Sequence, residues 1–423
     1  MDGPASAMKH LEHLCVEIGP RPVGSRANQA AADYVCRVFE ACGLKLEVQE
    51  FACPLWEVES TRLEFGEERL VARANAFSPA CDVVAEAAAV GTLAELEAAE
   101  LSGCIAILHG DLTKGTGLSC RHAFYFPERD QQVLALLEAK RPAALVTVNQ
   151  KLGASFEPLM RDWEIPVPSA TVPAEVGLAL LRQVGRPLHL RIDCRRWPGR
   201  FANVVARKEG PRPERIALCA HLDTVDSTPG AADNGAGVAV LLALAESLAA
   251  EELSLGLEWV VVNGEENGGL GDLEYLCRRG DELGSMLALV NVDGVGEYVG
   301  TSSAAVMGGS PALDQQVVAC LARYPGMVRV DPWYESDHTA FLGRGVPCIP
   351  LSTAGGANTG HTLADTVDWI SPAKLGELIG FIGELVRSLQ DRSAAWCRPG
   401  GSKDERPAWG GHPGRPAAVS PLY

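Results

Sequence analysis

The sequence holds 13 cysteines but no CxxC pair. The number is odd, the cysteines are spread along the chain, and several lie inside apolar runs, such as Cys104 in CIAILHG and Cys219 in IALCAHLD. Free, buried thiols in a reducing compartment are the expectation. A second lack is any run of about 18 apolar residues, so no membrane span is expected. The N-terminal MDGPASAMKHLEHLCVEIG has neither the basic segment nor the apolar core of a signal peptide. Together these lacks lead us to expect a soluble, cytoplasmic protein. Positive charge is also scarce. Lys and Arg number 37 against 54 Asp and Glu, a net charge of −17. Such a surface disfavours nucleic acid and anionic membrane as partners. What is present is ordinary globular composition, 47% hydrophobic and 22% charged. At roughly 150 residues per domain the length suggests about three domains. It excludes a peptide, a single small module, or a fold that disulfides must staple.

The first fifty residues read as two helices. Leu11 and Val16, then Ala31, Val35 and Phe39, fall at helical spacings around the turn-rich GPRPVGS, Gly19 to Ser25. LKLEVQEFACPL then alternates as a strand does. Residues 56–197 have a different texture, with short β-like runs at 104–110 and 143–149, and read as an inserted β-rich domain. Cys104, His109, Cys120 and His122 lie there without metal-ligand spacing, so structural roles are expected. Arg195, Arg196, Trp197 and Arg200 read as a solvated linker. From Ala202 the pattern becomes regular: IALCAHLD (216–223), a helical GVAVLLALAESLAA (237–250), LEWVVVNGEE (257–266), MLALVNVDG (286–294) and VPCIPLS (346–352). Strands alternating with helices imply an α/β fold, a mixed, mostly parallel sheet with helices on both faces. From Asp391 the chain is rich in Pro, Gly and Arg, and disorder is expected.

Three of these four apolar runs end in His or carboxylate, and sites in open α/β sheets form at the carboxyl ends of strands. His221-Leu-Asp223 reads either as a satisfied loop histidine or as a metal ligand with a carboxylate behind its second nitrogen. Asp233, in GAADNGAGVAV, reads either as a helix N-cap or as a ligand offering one oxygen to each of two ions. Glu265-Glu266 is either a solvated acidic pair or a division of labour, one carboxylate on metal and the other free to take a proton. Asp293 closes a buried run, which is costly unless it is paired or bound. His361 follows the last run after a Gly-rich loop, and its neighbour Asp365 can orient that loop or cap a helix. The ligand set is nitrogen and oxygen only, which suits zinc, with manganese or cobalt as alternatives.

These residues resemble the co-catalytic zinc metallopeptidase family that includes bacterial aminopeptidases and glutamate carboxypeptidases. The matching stretches are AHLDTVDSTPGAADNGAGVAVLLALA (220–245), NGEENGGLGD (263–272), LVNVDGVG (289–296), SDHTAFLGRGVPCIPL (336–351) and HTLADT (361–366). IGPRPVGSRANQAAADYV (18–35) is also similar to the family's N-terminal segment, and 56–195 resembles a protease-associated insert. The resemblance implies residues 1–55 and 198–390 as one zinc exopeptidase domain, 56–197 as the insert, and 391–423 as a loose tail. It implies two zinc ions. His221, Asp233 and Asp293 would hold one; His361, Glu266 and again Asp233 would hold the other. Glu265 would be the general base and then general acid, with Asp223 orienting His221. Ser336, Asp337 and His338 match a motif near the pocket with no ligand role. Asp233 follows His221 by twelve residues, a shorter gap than in the related aminoacylases and dipeptidases. Glutaminyl cyclases, similar in sheet, keep one zinc and are not expected to preserve both histidines. Aminopeptidases of the family often carry Tyr before the last His. Gly360 stands there, leaving Tyr334 or the metals to hold an oxyanion. The implied activity is removal of N-terminal residues from peptides. Carboxypeptidase, dipeptidase, amide deacylase and a non-enzymatic binding protein remain as alternatives.

Overall fold

The structure, a computed structural model, describes residues 3–114, 118, 126–153, 156–357 and 359–399. Cys120 and His122 lie outside the described residues. Among the described residues the chain divides into two compact units: Ala52–Gly199, and residues 3–51 together with 200–399. The sequence had placed these divisions at 55/56 and 197/198.

In the 52–199 unit the chain enters on β1 (Lys45–Phe65), which pairs antiparallel with β2 (Glu68–Leu70). It continues through β3 (Arg73–Ala74), β4 (Cys81–Val90), β5 (Ile105–Leu108), β6 (Ala144–Val148) and β7 (Ser169–Val172) and leaves on β8 (Pro187–Lys208). β4, β5, β6 and β7 are parallel neighbours. The helices Leu93–Ala98, Glu128–Lys140 and Ala174–Leu181 alternate with them. The unit is therefore α/β as much as β-rich, because buried parallel strands need helical crossovers. Cys104 and His109 belong to no group of potential metal ligands among the described residues.

The other unit is built on β9 (Arg215–His221), β10 (Gly256–Val262), β11 (Met286–Val292), β12 (Thr301–Ala304), β13 (Met327–Arg329) and β14 (Cys348–Ala354). The spatial order is β13–β12–β14–β11–β9–β10–β8. β14, β11, β9 and β10 are parallel, while β12 and the second half of β8 pair antiparallel at either side. β9, β10 and β11 are Val- and Leu-rich and almost wholly buried, as strands covered on both faces must be. Ile216, Leu218 and Ala220 of β9 face a core shared with the helices Gly3–Glu12, Arg26–Ala41, Ala236–Leu248 and Pro372–Ser388. Their alternates Ala217 and Cys219 point the opposite way by the period of two. Ser25 caps the helix Arg26–Ala41 by accepting from Asn28 N–H.

The stretch Ala231–Leu248 is long and apolar enough by composition to cross a membrane, and 83% of it is buried within the protein, where a mostly apolar helix fits a core position. One expectation needs correction. The tail is packed as far as it is described. Ser393 caps a short helix, Ala394–Cys397, and Cys397 is fully buried. Ser310 donates its N–H to the Cys397 carbonyl and its hydroxyl to the Trp396 carbonyl. The twelve cysteines among the described residues are free thiols, six of them buried.

Gly237 lets the helix after Asp233 approach β11. A Cβ there would collide with the Val292 carbonyl oxygen and with Asn234 Oδ1. In an exposed helix, Gly to Ala is stabilising by about 1 kcal/mol. Here Gly237→Ala is expected to lower stability by about 1–3 kcal/mol, the range of overpacking. Urea unfolding checks this, and a raised midpoint would contradict it.

Candidate active site

Parallel register decides where the site forms. Val262 pairs with His221, and Asn291 with Cys219, so the C-terminal ends of β9, β10 and β11 lie at one level. His221 ends β9, Asp293 follows β11, and Glu265-Glu266 sit in the turn after β10 rather than on it. His361 arrives on the loop after β14, and Asp233 on the irregular segment Ala231–Gly235 that opens the core helix.

The structure brings these residues into two groups that share Asp233. His221 Nε2 is 3.1 Å from Asp233 Oδ1 and 3.4 Å from Asp293 Oδ1. His361 Nε2 is 3.0 Å from Asp233 Oδ2 and 3.2 Å from Glu266 Oε2. Within each group the donor atoms lie within 4.8 Å of one another. Each oxygen of Asp233 thus faces a different histidine. Glu265 belongs to neither group and stays partly exposed.

Asp223 does more than face His221. His221 Nδ1 lies 3.1 Å from the Asp223 carbonyl oxygen and 3.8 Å from its carboxylate. That carboxylate accepts the N–H groups of Gly264 at 2.7 Å, Glu265 at 3.2 Å and Glu266 at 3.2 Å. It therefore fixes the turn that presents both glutamates. Burial pushes the Asp223 carboxyl up to about 6, with His221 and the Gly264 amide pulling it down. Asp365 does for Asp233 what Asp223 does for the glutamates. It accepts Ala232 N–H at 2.7 Å and Asp233 N–H at 3.1 Å. Burial pushes it up to about 7, against the Ala232 amide. Ser336 donates its hydroxyl to Asp293 Oδ2 at 2.6 Å and accepts from Asn291 Nδ2 at 2.8 Å. His338 faces the Trp333 carbonyl at 2.8 Å and Asn291 at 3.3 Å, so it stands behind the site. Tyr334 accepts the Thr339 hydroxyl through its carbonyl oxygen at 2.6 Å.

Sequence reading missed the role of Arg21, which is fully buried. Its guanidinium donates to five carbonyl oxygens: Leu14, Gly19, Leu222, Pro229 and Gly230. Leu222 directly follows His221, and Pro229 and Gly230 lead into Asp233. One side chain thus ties together the two segments that present the first histidine and the shared aspartate. Asn28 acts similarly. It exchanges amide hydrogen bonds with Asn263, both at 2.9 Å, just before the Glu265 turn. The available signal was an arginine and a helix start in a turn-rich segment with no other evident purpose.

These residues fit a metal. His221 Nε2 is buried without a hydrogen-bond partner, and it points between two carboxylate oxygens while Nδ1 faces a carbonyl. That is the tautomer a metal-binding imidazole needs. Although burial pulls His221 down, Asp293 and Asp233 drive it well above the ordinary histidine value. The surrounding carboxylates call for positive charge at this point.

The donor set is two histidines and three carboxylates, nitrogen and oxygen only. Residues 203–386 match the sequence profile described as "Peptidase family M28". Aminopeptidase YwaD of Bacillus subtilis is 25% identical over 296 residues, 69% of this chain and 61% of that protein. A probable leucine aminopeptidase 2 of Aspergillus oryzae is 25% identical, covering 79% of this chain and 68% of that one. The chain thus spans about two thirds or less of the lengths of these two relatives. Among solved structures, a zinc aminopeptidase from Bacillus subtilis superposes with a TM-score of 0.73 at 21% identity. It covers 93% of this chain and 98% of its own. That likeness establishes the fold.

Arg21→Lys retains the charge but not the planar set of donors. Zinc affinity is expected to fall by about 10–100-fold, as it does when residues supporting metal ligands are lost. Competition against a chromophoric chelator checks this, with far-ultraviolet circular dichroism confirming the fold. Unchanged affinity in a folded variant would show that the loops hold themselves.

Proposed function

We propose that this protein is a dinuclear zinc exopeptidase that releases N-terminal residues from peptides. The observation that carries the reading is the bridging geometry of Asp233, with one oxygen toward each histidine and Glu265 left outside both ligand groups. His221, Asp233 and Asp293 would hold one ion; His361, Glu266 and Asp233 would hold the other. Bound there, the ions supply Lewis acidity toward a peptide carbonyl and acidity to a water molecule.

The remaining steps belong to the chain. Glu265 takes the proton of the attacking water onto its carboxylate. As the carbon–nitrogen bond breaks, it returns that proton to the leaving amine nitrogen. Asp223 holds the backbone of Glu265 and Glu266 still while their side chains take different tasks. Gly360 contributes no side-chain donor, and its Cβ position lies 3.4 Å from Asp233 Oδ2. Tyr334 is the proposed donor to the oxyanion. The concentration of carboxylates favours a cationic α-amine over a free C-terminal carboxylate. We read 52–199 as an insert of the protease-associated type, supported by its separation as a compact unit. The free thiols support a reducing, cytoplasmic location.

Burial raises the Glu265 carboxyl well above its ordinary value. His221 opposes this, and Glu266, Asp337 and Asp293 add to it. The base works ionised, so kcat/KM is expected to rise with pH through a one-proton limb above the ordinary glutamate value of about 4.3. Glu265→Gln is expected to retain two zinc ions per chain by mass spectrometry and to lose at least about 10²-fold in kcat. Near wild-type turnover would defeat the assignment. The deciding experiment is a panel of aminoacyl-arylamides against N-blocked peptides on zinc-loaded protein, repeated after chelation. Cleavage confined to free N-termini and abolished without metal supports the reading. Preference for N-blocked substrates indicates a carboxypeptidase or deacylase.

A further inference from the structure

The loop that delivers His361 begins where β14 ends, at Ala354. His361 itself has a φ of 61°, in the left-handed region that residues other than glycine seldom take. Such a backbone persists only where its surroundings hold it. A holder is Glu297, which the peptidase reading does not use. It stands four residues past Asp293 on the loop after β11 and is 5% exposed. Its two carboxylate oxygens are divided over the His361 loop. Oε2 accepts the Ala357 N–H at 2.6 Å, and Oε1 accepts the Thr359 hydroxyl at 3.1 Å. The Thr359 carbonyl in turn accepts the Thr362 hydroxyl at 2.6 Å and the Thr362 N–H at 3.2 Å. Gly360 and His361 are thereby closed between two joined threonines.

A Cβ on Gly356 would collide with Glu297 Oε2, so the chain before Thr359 lies against that carboxylate where no side chain fits. Glu297 is itself fixed. It forms an antiparallel bridge with Ile370. The Tyr298 N–H donates to the Trp369 carbonyl at 2.8 Å, and the Ser371 N–H to the Gly296 carbonyl at 2.8 Å. Lys374, in the first turn of the helix Pro372–Ser388, donates its ammonium to the carbonyls of Glu297, Tyr298 and Gly300. The carboxylate is thus a fixed post, and the His361 loop hangs from it.

We propose that Glu297 is a positioning residue for the ion site formed by His361, Glu266 and Asp233. It holds the loop so that His361, in its left-handed conformation, keeps Nε2 at 3.0 Å from Asp233 Oδ2 and 3.2 Å from Glu266 Oε2. These hydrogen bonds lie on the His361 side, so loss of the post falls on one ion site and spares the group of His221, Asp233 and Asp293. The clamp stands on geometry; its bearing on metal rests on the dinuclear reading.

Glu297→Ala removes both acceptors. Glu297→Gln can accept from Ala357 with its carbonyl oxygen and donate to the Thr359 hydroxyl with its amide. In chelator competition on folded protein, Glu297→Ala is expected to weaken one of two zinc sites by about 10–100-fold, the range for residues that support metal ligands. Glu297→Gln is expected to match wild type. His361→Ala supplies the cycle that separates positioning from general stability. Added to His361→Ala, Glu297→Ala is expected to leave the affinity of the remaining site unchanged. A further loss in that background shows that Glu297 supports the fold at large and overturns the positioning role. Two sites of wild-type affinity in Glu297→Ala, or an equal loss in the Gln variant, also overturn it. Gly356→Ala, which pushes the carboxylate aside, makes the same test from the loop if Glu297→Ala does not fold.

Hydrogen exchange on the metal-free proteins gives the second readout. Residues 359–366 are expected to exchange faster in Glu297→Ala than in wild type, and at the wild-type rate in Glu297→Gln. Unchanged exchange there in Glu297→Ala overturns the clamp at any metal count. If the wild type binds fewer than two ions, the dinuclear reading fails and exchange alone decides whether the clamp exists, so the two readings fail separately.

Discussion

Everything at this site depends on holding negative charge where water cannot reach it. Asp223, Asp272, Asp337 and Asp365 are all fully buried, and Asp233, Glu266 and Asp293 are at most slightly exposed. Ionised carboxylates in such a place are tolerable only with donors or cations against them. The protein satisfies them in distinct ways. Backbone amides converge on Asp223 and Asp365, and a serine hydroxyl meets Asp293. Imidazoles meet Asp233 and Glu266 with the geometry of metal ligands.

The same accounting explains why the supporting residues come from so far away in sequence. A strand end leaves its last carbonyls and amides outside the ladder, and each must find a partner. Arg21 serves the carbonyls after β9 and before Asp233, and Asp223 serves the amides after β10. Asn28 and Asn263 join the N-terminal helix to the same turn. The ligands thus sit on segments with little freedom, which a metal site needs if its histidines are to keep their tautomers and directions.

Much of this was legible in the sequence because it is written in period and position. Four apolar runs, three of them ending in His, Asp or Glu, located four parallel strands and the edge where they deliver chemistry, and His221, Asp233, Glu266, Asp293 and His361 came together there. What could not be read was anything that depends on contacts between distant segments. Arg21 has five backbone partners, none of them distinguishable by residue type. Asp223 was expected to work through His221 with its carboxylate, but it meets that ring with its carbonyl and spends the carboxylate on the next strand's turn. The tail to residue 399 was misjudged for a related reason. Composition describes a segment alone, whereas burial depends on what covers it.

Asp233 and Gly360 show how the constraint on charge bears on reactivity. Asp233 is within reach of both histidines because its peptide segment is held by Asp365 from behind and by Arg21 through the carbonyls before it. Gly360, directly before His361, leaves the space over Asp233 open where a side chain would narrow it. A site with fewer side-chain donors around the reacting carbonyl leans more heavily on its metals and on the basicity of Glu265. That basicity is raised first by burial and then by Glu266, Asp337 and Asp293, against the pull of His221.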